Sequence, residues 1–301
     1  MNKKVAIILL NYCGAKDTLE CIESLEAIDY KNYEIIIVDN NSPDNSYEIL
    51  KQSIGDKHTL IKAESNGGFA KGNNIGINYA LKRGCDYVLL LNNDTIVEKD
   101  FLSHMIACYE SNSKVGIVGC KILYYDIKDY IWFAGGEINY KRFYGAHYGE
   151  GQLDRAEFNV EKKITFATGC VMLISAEVIK TVGMLPEEYF MYFEDVDYCL
   201  RVQDKGYDIF YCPKAVVYHK VSATSGGQLS PFSIRWSTRN RLIFMEKYKE
   251  KVSRREYLKA KTFFYNTRRL RILSCYIKGK KEEARAIKEG IEEGLKYLKI
   301  K

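Results

Sequence analysis

The chain alternates short apolar runs with longer segments in which apolar residues recur every three or four positions. Two of the apolar runs, residues 33–38 and 87–91, end directly at polar clusters that begin with Asp39 and Asn92. Runs of this kind, rich in branched residues, are typical of strands covered on both faces, and the segments between them have helical spacing. Strict alternation of strand and helix predicts parallel strands with crossover helices over residues 1–119.

The pattern gives approximate bounds for the elements of this half. Strands are predicted at residues 5–10, 33–38, 59–63, 87–91 and 115–118. Helices are predicted at residues 17–27, from Ser42 onward, at 71–82 and at 98–109.

Beyond residue 119 the pattern becomes aromatic and glycine-rich, which is typical of loops that recognise an acceptor. A strand at 164–174, helices from Ser175 and at 191–205, and strands at 208–211 and 216–219 complete the predicted core, and the chain from Pro231 onward is helical and basic. We therefore expect a catalytic domain at 1–245, made of halves 1–119 and 120–245, and a helical basic extension at 246–301.

Composition supports one large folded body with an appendage. The chain has 301 residues, of which 47% are hydrophobic, and carries a net charge of +6. The tail from Glu246 holds 18 Lys and Arg against 8 Asp and Glu, so the basic character is concentrated there. Such a tail suits a phosphate-rich partner such as an anionic membrane or a nucleic acid, but a solvated helical face explains it equally well.

The cysteines and the hydropathy of the chain indicate in which cellular compartment the protein is expected. The nine cysteines are scattered singly, without a CxxC pair, which predicts reduced and mostly buried thiols in a cytoplasmic protein. No run of about 18 apolar residues occurs, and the chain passes from Met1 almost directly into a strand. We therefore expect neither a membrane span nor a secretory signal.

Polar clusters at strand ends are the candidate functional residues, because ligands of open α/β sheets bind at the carboxyl ends of the strands. Five motifs occur in order: Leu10-Asn11-Tyr12; Val38-Asp39-Asn40-Asn41-Ser42; Asn66 to Asn74; Leu91-Asn92-Asn93-Asp94; and Phe193-Glu194-Asp195-Val196-Asp197. With this order and spacing, the chain over about residues 4–245 resembles family 2 glycosyltransferases, particularly the bacterial rhamnosyltransferase-like subgroup.

The resemblance implies a GT-A fold, an α/β architecture with a mostly parallel central sheet flanked by helices. It also implies a nucleotide-sugar donor, with Asp39 bonding the base or ribose. Uracil and thymine present nearly the same imide edge, so dTDP-rhamnose and a UDP-sugar both remain candidates. The further donor-binding residues expected from the motifs are Asn11, Asn41, Asn66, Gly68, Lys71, Asn74, Asn92 and Asn93. The resemblance also implies an arginine of Arg239-Asn240-Arg241 near the donor diphosphate or acceptor, and we expect Arg239 rather than Arg241, since guanidinium forks suit phosphate.

A divalent cation is expected because the diphosphate leaves with negative charge. Asn92-Asn93-Asp94 resembles the metal motif of the family, although an amide replaces its first acid. Asp94 and His219 are the expected ligands, and Mg²⁺ or Mn²⁺ is the expected metal.

Glu194 and Asp195 are the predicted catalytic pair. The resemblance implies that the second acid, Asp195, takes the proton of the acceptor hydroxyl during inversion. It also implies that Glu194 orients the acceptor or supports the base. Acids in a first helical turn can instead serve only the helix dipole. The aromatic run at 189–193 is expected to supply a sugar-stacking surface, and Trp132 and His147 are candidates for lining the acceptor site.

The sequence thus predicts an inverting transferase that moves a sugar to a saccharide or lipid-linked saccharide in cell-surface polysaccharide synthesis, with rhamnose as the candidate sugar and without a nucleic-acid partner. Two alternatives stay open: a nucleotide-sugar-binding protein that has lost turnover, motivated by the missing first metal acid, and a transferase using a UDP-hexose. A nucleotidyltransferase is a weaker rival, because only Lys16 lies near the first strand to hold a triphosphate.

Overall fold

The structure, a computed structural model, describes residues 3–221 and 230–300. Met1 and Asn2, which entered the expectation that no signal precedes the first strand, lie outside this range. Contacts divide the chain into two compact units. The first comprises Met1–Glu137, His147–Phe190 and Glu194–Val221, and the second comprises Ile138–Ala146, Met191–Phe193 and Ser222–Lys301.

The first unit is built on a mixed sheet with the strand order β10-β12-β6-β11-β4-β1-β2-β3, to which β5 and β7 are added beside β12 and β6. A separate ribbon pairs β8 with β9. The strands are β1 Val5–Asn11, β2 Tyr33–Asp39, β3 Thr59–Lys62, β4 Tyr87–Asn92, β5 Thr95–Val97, β6 Val115–Tyr124, β7 Ile131–Phe133, β8 Gly136–Asn139, β9 Tyr144–His147, β10 Lys162–Ile164, β11 Val171–Ser175 and β12 Asp208–His219.

Helices connect and flank these strands. They are α1 Ala15–Glu26, α2 Ser46–Ile54, α3 Gly68–Lys82, α4 Phe101–Glu110, α5 Ala176–Val182, α6 Glu194–Asp204, α7 Pro231–Lys247, α8 Arg254–Ile277 and α9 Lys281–Ile300. The pairs β1–β2, β2–β3, β1–β4 and β6–β12 are parallel, whereas β11 runs antiparallel to both β4 and β6. The predicted α/β class with a mostly parallel sheet is confirmed.

Helix α3 lies unusually close to β1 because two of its glycines face that strand. A Cβ at Gly72 would be 2.3 Å from Leu10 Cδ1, and one at Gly76 would be 2.7 Å from Ile8 Cγ2. This close approach fixes the amino end of α3 beside the carboxyl ends of the strands, where the candidate site lies.

The second unit contains the three carboxyl-terminal helices. Gly290 on α9 allows close packing against α7, since a Cβ there would be 2.5 Å from the carbonyl oxygen of Arg235. Ile234, Ala286 and Ile287 form a buried apolar cluster at this contact. Helix α7 therefore belongs to the same compact unit as the tail, whereas the predicted catalytic domain extended to residue 245. The assignment of functions to domains stays a prediction.

Several predicted elements were wrong in detail. Residues 165–170 interrupt the strand expected at 164–174, leaving β10 and β11 as separate strands. Helix α2 begins at Ser46 rather than near Ser42, because Ser42 is engaged by Asp39. The two strands expected at 208–219 are one strand, β12, whose register shifts between Cys212 and Val216.

Other sequence expectations can be compared directly with the structure. All nine cysteines are free thiols, and all except Cys13 are buried. Among the described residues, we find no helix with the combination of length and apolar character that crossing a bilayer requires.

Candidate active site at the carboxyl edge of the sheet

The candidate site begins where three adjacent parallel strands end together. Asn11 at the end of β1 is in register with Asp39 at the end of β2, and Leu10 is in register with Asn92 at the end of β4. Because neighbouring strands lie about 4.8 Å apart, the ends of β2 and β4 are about 10 Å apart across β1. The sheet register therefore brings the first, second and fourth polar motifs to one edge.

Asp39 is completely buried and is held by three hydrogen bonds. Its carboxylate accepts from Asn11 Nδ2 at 2.7 Å, from the Ser42 hydroxyl at 2.7 Å and from the Ser42 backbone N–H at 3.0 Å. The Ser42 hydroxyl oxygen in turn accepts from the Cys13 N–H at 2.9 Å. In this state Asp39 organises the loops after β1 and β2, and its contact with a donor base stays a prediction.

A chain of hydrogen bonds joins this group to the end of β4. Asn93 Nδ2 donates to the Thr18 hydroxyl at 2.8 Å. The single proton of that hydroxyl has two acceptors in reach, Asn11 Oδ1 at 3.0 Å and the Gly14 carbonyl at 2.9 Å. Asn11 completes the chain to Asp39. Asn11 and Asn93 are therefore structural links between the two strand ends, with Thr18 as a member that sequence reasoning did not identify.

The glycine-rich motif forms the turn into α3, and Asn40 holds it. Asn40 Nδ2 donates to Asn66 Oδ1 at 2.9 Å and to the Gly68 carbonyl at 3.1 Å. Gly68 has φ +78°, and a Cβ there would be 2.0 Å from the carbonyl oxygen of Phe190. Only glycine fits this position. Asn40 was not among the predicted site residues, although it lies inside the second motif.

The other residues predicted from these motifs have different surroundings. Lys71 is exposed on the first turn of α3, and its side chain covers Gly67. Asn41 is exposed with φ 58°, a conformation that asparagine tolerates well. Asn74 is buried, and its amide bonds the backbone of Leu185 and the carboxylate of Glu187. The structure thus employs Asn74 in holding the 185–187 segment, and donor contacts by these residues stay predictions.

Asp94 and His219 are brought together by the antiparallel pairing of β5 with β12, in which His219 opposes Thr95. Asp94 Oδ1 lies 3.2 Å from His219 Nε2, and both side chains are buried. Despite this short distance, Asp94 Oδ1 has no hydrogen-bond partner among the described residues, and neither has His219 Nδ1. Asp94 Oδ1 thus lies within ion-pair distance of His219 Nε2 and still accepts no hydrogen bond from the described residues.

This geometry fits a shared divalent cation. Adjacent ligands of an octahedral ion with bonds of about 2.1 Å lie about 3 Å apart, close to the spacing of the two atoms. A carboxylate oxygen and an imidazole nitrogen are also a donor pair that Mn²⁺ accepts. An orphaned buried carboxylate oxygen costs about 1–3 kcal/mol, which a bound cation would offset.

Trp132 connects this pair to a second histidine. Its ring packs edge-on against His219 at 4.5 Å and against His147 at 4.8 Å between centroids. The carbonyl of Trp132 lies 3.2 Å from His147 Nδ1. Burial lowers the pKa of His147, an effect that the charges of Glu150 and Asp195 oppose. The sequence prediction that Trp132 and His147 line the acceptor site rested on their loop position and on the aromatic content of those loops.

Asp195 is fixed at the start of α6 by two backbone donors. Its Oδ2 accepts from the Gly169 N–H at 3.0 Å, and its Oδ1 accepts from its neighbour Val196 N–H at 2.8 Å. The short turn that contains Gly169 is also hydrogen-bonded to the end of β4, because the Asn92 N–H donates to the Cys170 carbonyl at 2.9 Å. Residues 168–170 therefore position the metal motif and the predicted base together.

Burial dominates the electrostatics of the acidic pair. It raises the pKa of Asp195, although the two backbone hydrogen bonds and His147 act in the opposite direction. Burial, reinforced by the charge of Asp195, raises the pKa of Glu194 well above its usual value. Glu194 Oε2 is buried and has no hydrogen-bond partner among residues 3–221 and 230–300. Two adjacent acids with raised pKa values are typical of a proton-transfer site.

Arg239 and the aromatic run at 189–193 were also predicted to contribute to the site. Arg239 belongs to the second unit, where its guanidinium lies 5.2 Å from the Trp236 and Tyr297 rings and donates to Asn240 Oδ1 at 2.5 Å. In the expected stacking surface, Tyr189 is fully buried, with its hydroxyl donating to Asp197 at 2.8 Å. Tyr189 is therefore structural, and so is Asp197.

Comparison with known sequences identifies the family. Residues 5–183 match the family described as Glycosyl transferase family 2. The chain is 26% identical over 227 residues to a dTDP-rhamnosyl transferase of Shigella flexneri, covering 75% of this chain and 72% of that protein. It is also 26% identical over 250 residues to a low-salt glycan biosynthesis hexosyltransferase of Haloferax volcanii, covering 79% of this chain and 74% of that protein.

Comparison with solved structures supports the fold. The chain superposes on a mannosyltransferase from Pyrobaculum calidifontis, solved in complex with GDP-Man and Mn²⁺, with a TM-score of 0.63. The superposition covers 98% of this chain and 88% of the other, at 12% sequence identity. The GT-A fold expected from the sequence is thereby confirmed.

The surroundings of Glu194 predict a stability effect that depends on pH. Its folded-state pKa exceeds its unfolded-state value, so the folded chain binds this proton more tightly and loses relative stability as the pH rises through that interval. We expect Glu194→Gln to raise the free energy of unfolding by about 1–3 kcal/mol at pH 7. Near pH 4 the gain disappears, because the unfolded chain is then protonated too.

Urea unfolding at both pH values measures this difference, with exposed Glu64→Gln as the control that changes the same charge. A gain of equal size at pH 4 and pH 7 would show that burial of the charge is not its cause.

Proposed function

The chain belongs to glycosyl transferase family 2, and we propose that it is an inverting, metal-dependent transferase that moves a sugar from a nucleotide-diphosphate donor to a saccharide acceptor. The observation that carries the proposal is the 168–170 turn. This turn binds the end of β4 through the Cys170 carbonyl and binds the Asp195 carboxylate through the Gly169 N–H. The strand that we propose to hold the donor and the residue that we propose as the base are thus both bonded to one short segment.

In the proposed mechanism, Asp195 Oδ accepts the proton of the acceptor hydroxyl as its oxygen bonds the anomeric carbon. The bond from that carbon to the diphosphate oxygen breaks, and the nucleotide diphosphate leaves with the electron pair. The raised pKa of Asp195 makes it a stronger base than an exposed aspartate while it remains anchored by Gly169 and Val196. Glu194, whose pKa is raised further, supports the pair in its protonated form.

Asp94 and His219 would hold the divalent cation, Mg²⁺ or Mn²⁺, which when bound neutralises charge on the diphosphate. Asn92 replaces the first acid of the family motif, and its side chain is the half-buried amide at the end of β4. We infer that its carbonyl oxygen or a water completes the coordination. The structure solved with GDP-Man and Mn²⁺ supports this chemistry by likeness of fold.

For the donor we propose dTDP-rhamnose first and a UDP-hexose second. The similarity to a dTDP-rhamnosyl transferase supports dTDP-rhamnose. The similarity to a hexosyltransferase supports a UDP-hexose as the alternative donor. We further propose that the acceptor is a saccharide or lipid-linked saccharide of a cell-surface polysaccharide. The replacement of the first metal acid by Asn92 favours one rival, a protein of the same fold that binds the donor without turnover.

An anionic membrane surface is the partner that we propose for α8, placing the chain at the inner face of a cytoplasmic membrane. One half of the circumference of this helix carries large apolar side chains between basic ones, and Glu256 is the only acid on the helix. The exposed apolar residues are Leu258, Phe263, Leu270, Leu273, Tyr276 and Ile277, and the exposed cations are Arg254, Arg255, Lys259 and Arg269. We call this surface the α8 face.

The positive charge of the α8 face favours an anionic membrane over a second copy of the chain as its partner. A second copy of the helix would bring its own cations against these cations with almost no acid between them, whereas an anionic lipid surface offers complementary charge and apolar depth. The open recess of about 770 Å³ along Arg255, Leu258 and Phe263 lies on the same face. These features support a membrane partner over self-association.

The base assignment predicts that Asp195→Asn lowers the rate of sugar transfer by about 10²–10⁴-fold, because general-base assistance is lost. Donor affinity should change little, since Asp195 acts on the acceptor. Radiolabelled sugar transfer and calorimetric donor binding measure the two quantities, with exposed Asp204→Asn at the other end of α6 as the control. A variant with near-native turnover would remove Asp195 from this role, and a wild-type protein that binds donor without any transfer or hydrolysis would favour the inactive rival.

The metal assignment predicts that dTDP-rhamnose raises the midpoint of thermal unfolding more with Mn²⁺ than without it. His219→Ala should lose that Mn²⁺-dependent part, with apparent Mn²⁺ affinity reduced about 10–100-fold. His58→Ala, a histidine that contacts Glu26 away from the strand ends, is the matched control.

A panel of nucleotide sugars in the same assay tests the donor. If a UDP-hexose raises the midpoint while dTDP-rhamnose does not, the rhamnose proposal is wrong and the UDP alternative stands. An equal Mn²⁺ effect in wild type and His219→Ala would contradict the metal assignment alone.

The membrane proposal predicts that Leu270→Ser with Ile277→Ser weakens binding to vesicles of phosphatidylglycerol and phosphatidylcholine by at least about tenfold, because two apolar side chains no longer insert. Ile300→Ser, an equally exposed apolar residue on α9, is the control. Vesicle flotation measures binding, and phosphatidylcholine alone should bind poorly. Unchanged flotation, or a dimer in sedimentation that the double variant dissociates, would refute the membrane as occupant.

A further inference from the structure

The second unit contains two partly buried arginines that lack a counter-charge. Arg241 lies on α7 and Arg268 on α8, and both guanidinium groups contact the fully buried ring of Phe264, at 5.7 Å and 5.0 Å from its centroid. Within residues 3–221 and 230–300, neither guanidinium is paired with a carboxylate. The segment 222–229, outside the described range, contains no acidic residue.

Each of the two guanidinium groups has a buried N–H donor without an acceptor among the described residues. Arg241 Nε donates to the carbonyl of Arg142 at 2.8 Å, but Arg241 Nη2 and Arg268 Nε have no hydrogen-bond acceptor among the described residues. Contact with an aromatic face offsets part of the cost of burying a cation but accepts no N–H bond in the plane of the guanidinium. Buried, unpaired charged donors are among the most costly arrangements in a protein.

The neighbours of the pair add positive charge. Burial lowers the pKa of Arg241 to about 10, with the nearby charges of Arg268 and Arg142 acting in the same direction. Burial and the charge of Arg271 likewise lower the pKa of Arg268 to about 10. The groups that face the pair are thus two further arginines and aromatic rings, including Tyr144 at 5.5 Å from Arg241.

We propose that Arg241 and Arg268 form a binding site for a phosphoryl group, with Arg142 and Arg271 at its margin. Planar guanidinium forks match the oxygens of phosphate, and unpaired N–H donors supply directed bonds to them. Two unpaired guanidinium groups, with the charges of Arg142 and Arg271 acting on them, fit a dianionic phosphate or a diphosphate better than a single carboxylate. None of these four arginines is among the residues proposed for proton transfer or metal binding, which all belong to the first unit.

The phosphoryl group could belong to either of two kinds of ligand, a phosphorylated lipid in a membrane or a soluble phosphorylated molecule.

From the sequence we expected Arg239, rather than Arg241, to be the phosphate-binding arginine of Arg239-Asn240-Arg241. Arg239 stacks between aromatic rings and bonds Asn240, whereas Arg241 presents an unused buried donor. The structure therefore favours Arg241 within the second unit.

Thermal unfolding of the whole chain in chloride, acetate, phosphate and pyrophosphate at equal ionic strength tests the site. A chelator removes divalent cations, so that the proposed donor site does not contribute. We expect phosphate and pyrophosphate at saturating concentration to raise the unfolding midpoint by about 4 °C relative to chloride, and acetate to have no effect. Arg268→Met should abolish this rise, and Arg269→Gln, which removes the same charge from an exposed position of α8, should retain it.

The stability of Arg268→Met in chloride also shows whether Arg268 binds an anion or only stabilises the fold. Because it removes one of two buried like charges that lack an anion, it should unfold in chloride at a temperature no lower than wild type. A rise of equal size in wild type and Arg268→Met, or no rise in wild type, would overturn the proposal.

Vesicles of phosphatidylcholine with either phosphatidic acid or phosphatidylglycerol distinguish the two sources. A preference for phosphatidic acid in wild type and in Arg285→Gln, which changes an exposed arginine of α9 outside the α8 face, would assign the phosphoryl group to a membrane lipid if Arg268→Met lacks that preference. A response to soluble pyrophosphate without that preference would assign it to a soluble ligand. Both results support the site.

Discussion

The architecture of the site depends on the common register of β1, β2 and β4. Parallel pairing ends the three strands at one edge, so Asn11, Asp39 and Asn92 emerge as neighbours although they are distant in sequence. The hydrogen-bond chain through Thr18 then joins the loops that follow these strands. A shift of one residue in this pairing would turn each polar side chain to the opposite face of the sheet.

Much of this arrangement was predictable because it is local in sequence. The apolar runs before Asp39 and Asn92 give the strands, their ends give the polar edge, and the order of motifs gives the family. The fold class and family were confirmed on this basis. The roles of individual side chains stay predictions, since no comparison tests them residue by residue.

What sequence could not supply is pairing between distant segments. The strand expected at 164–174 is interrupted because Gly169 turns its N–H toward Asp195 and Cys170 accepts from Asn92, contacts that no periodicity encodes. Likewise, the close approach of Asp94 to His219 results from β5, a three-residue strand too short to give a pattern. Asn40 could have been found, because it lies inside a motif already recognised.

The place of β11 in the sheet has a consequence for biogenesis. This strand, residues 171–175, separates β4 from β6 and runs against both. While the chain emerges from the ribosome, β4 therefore remains an open edge of hydrogen-bonding groups for about 80 residues of further synthesis. Nascent chains are exposed to mispairing over that interval, and closure of the sheet is a late, long-range event whose speed is limited by topology.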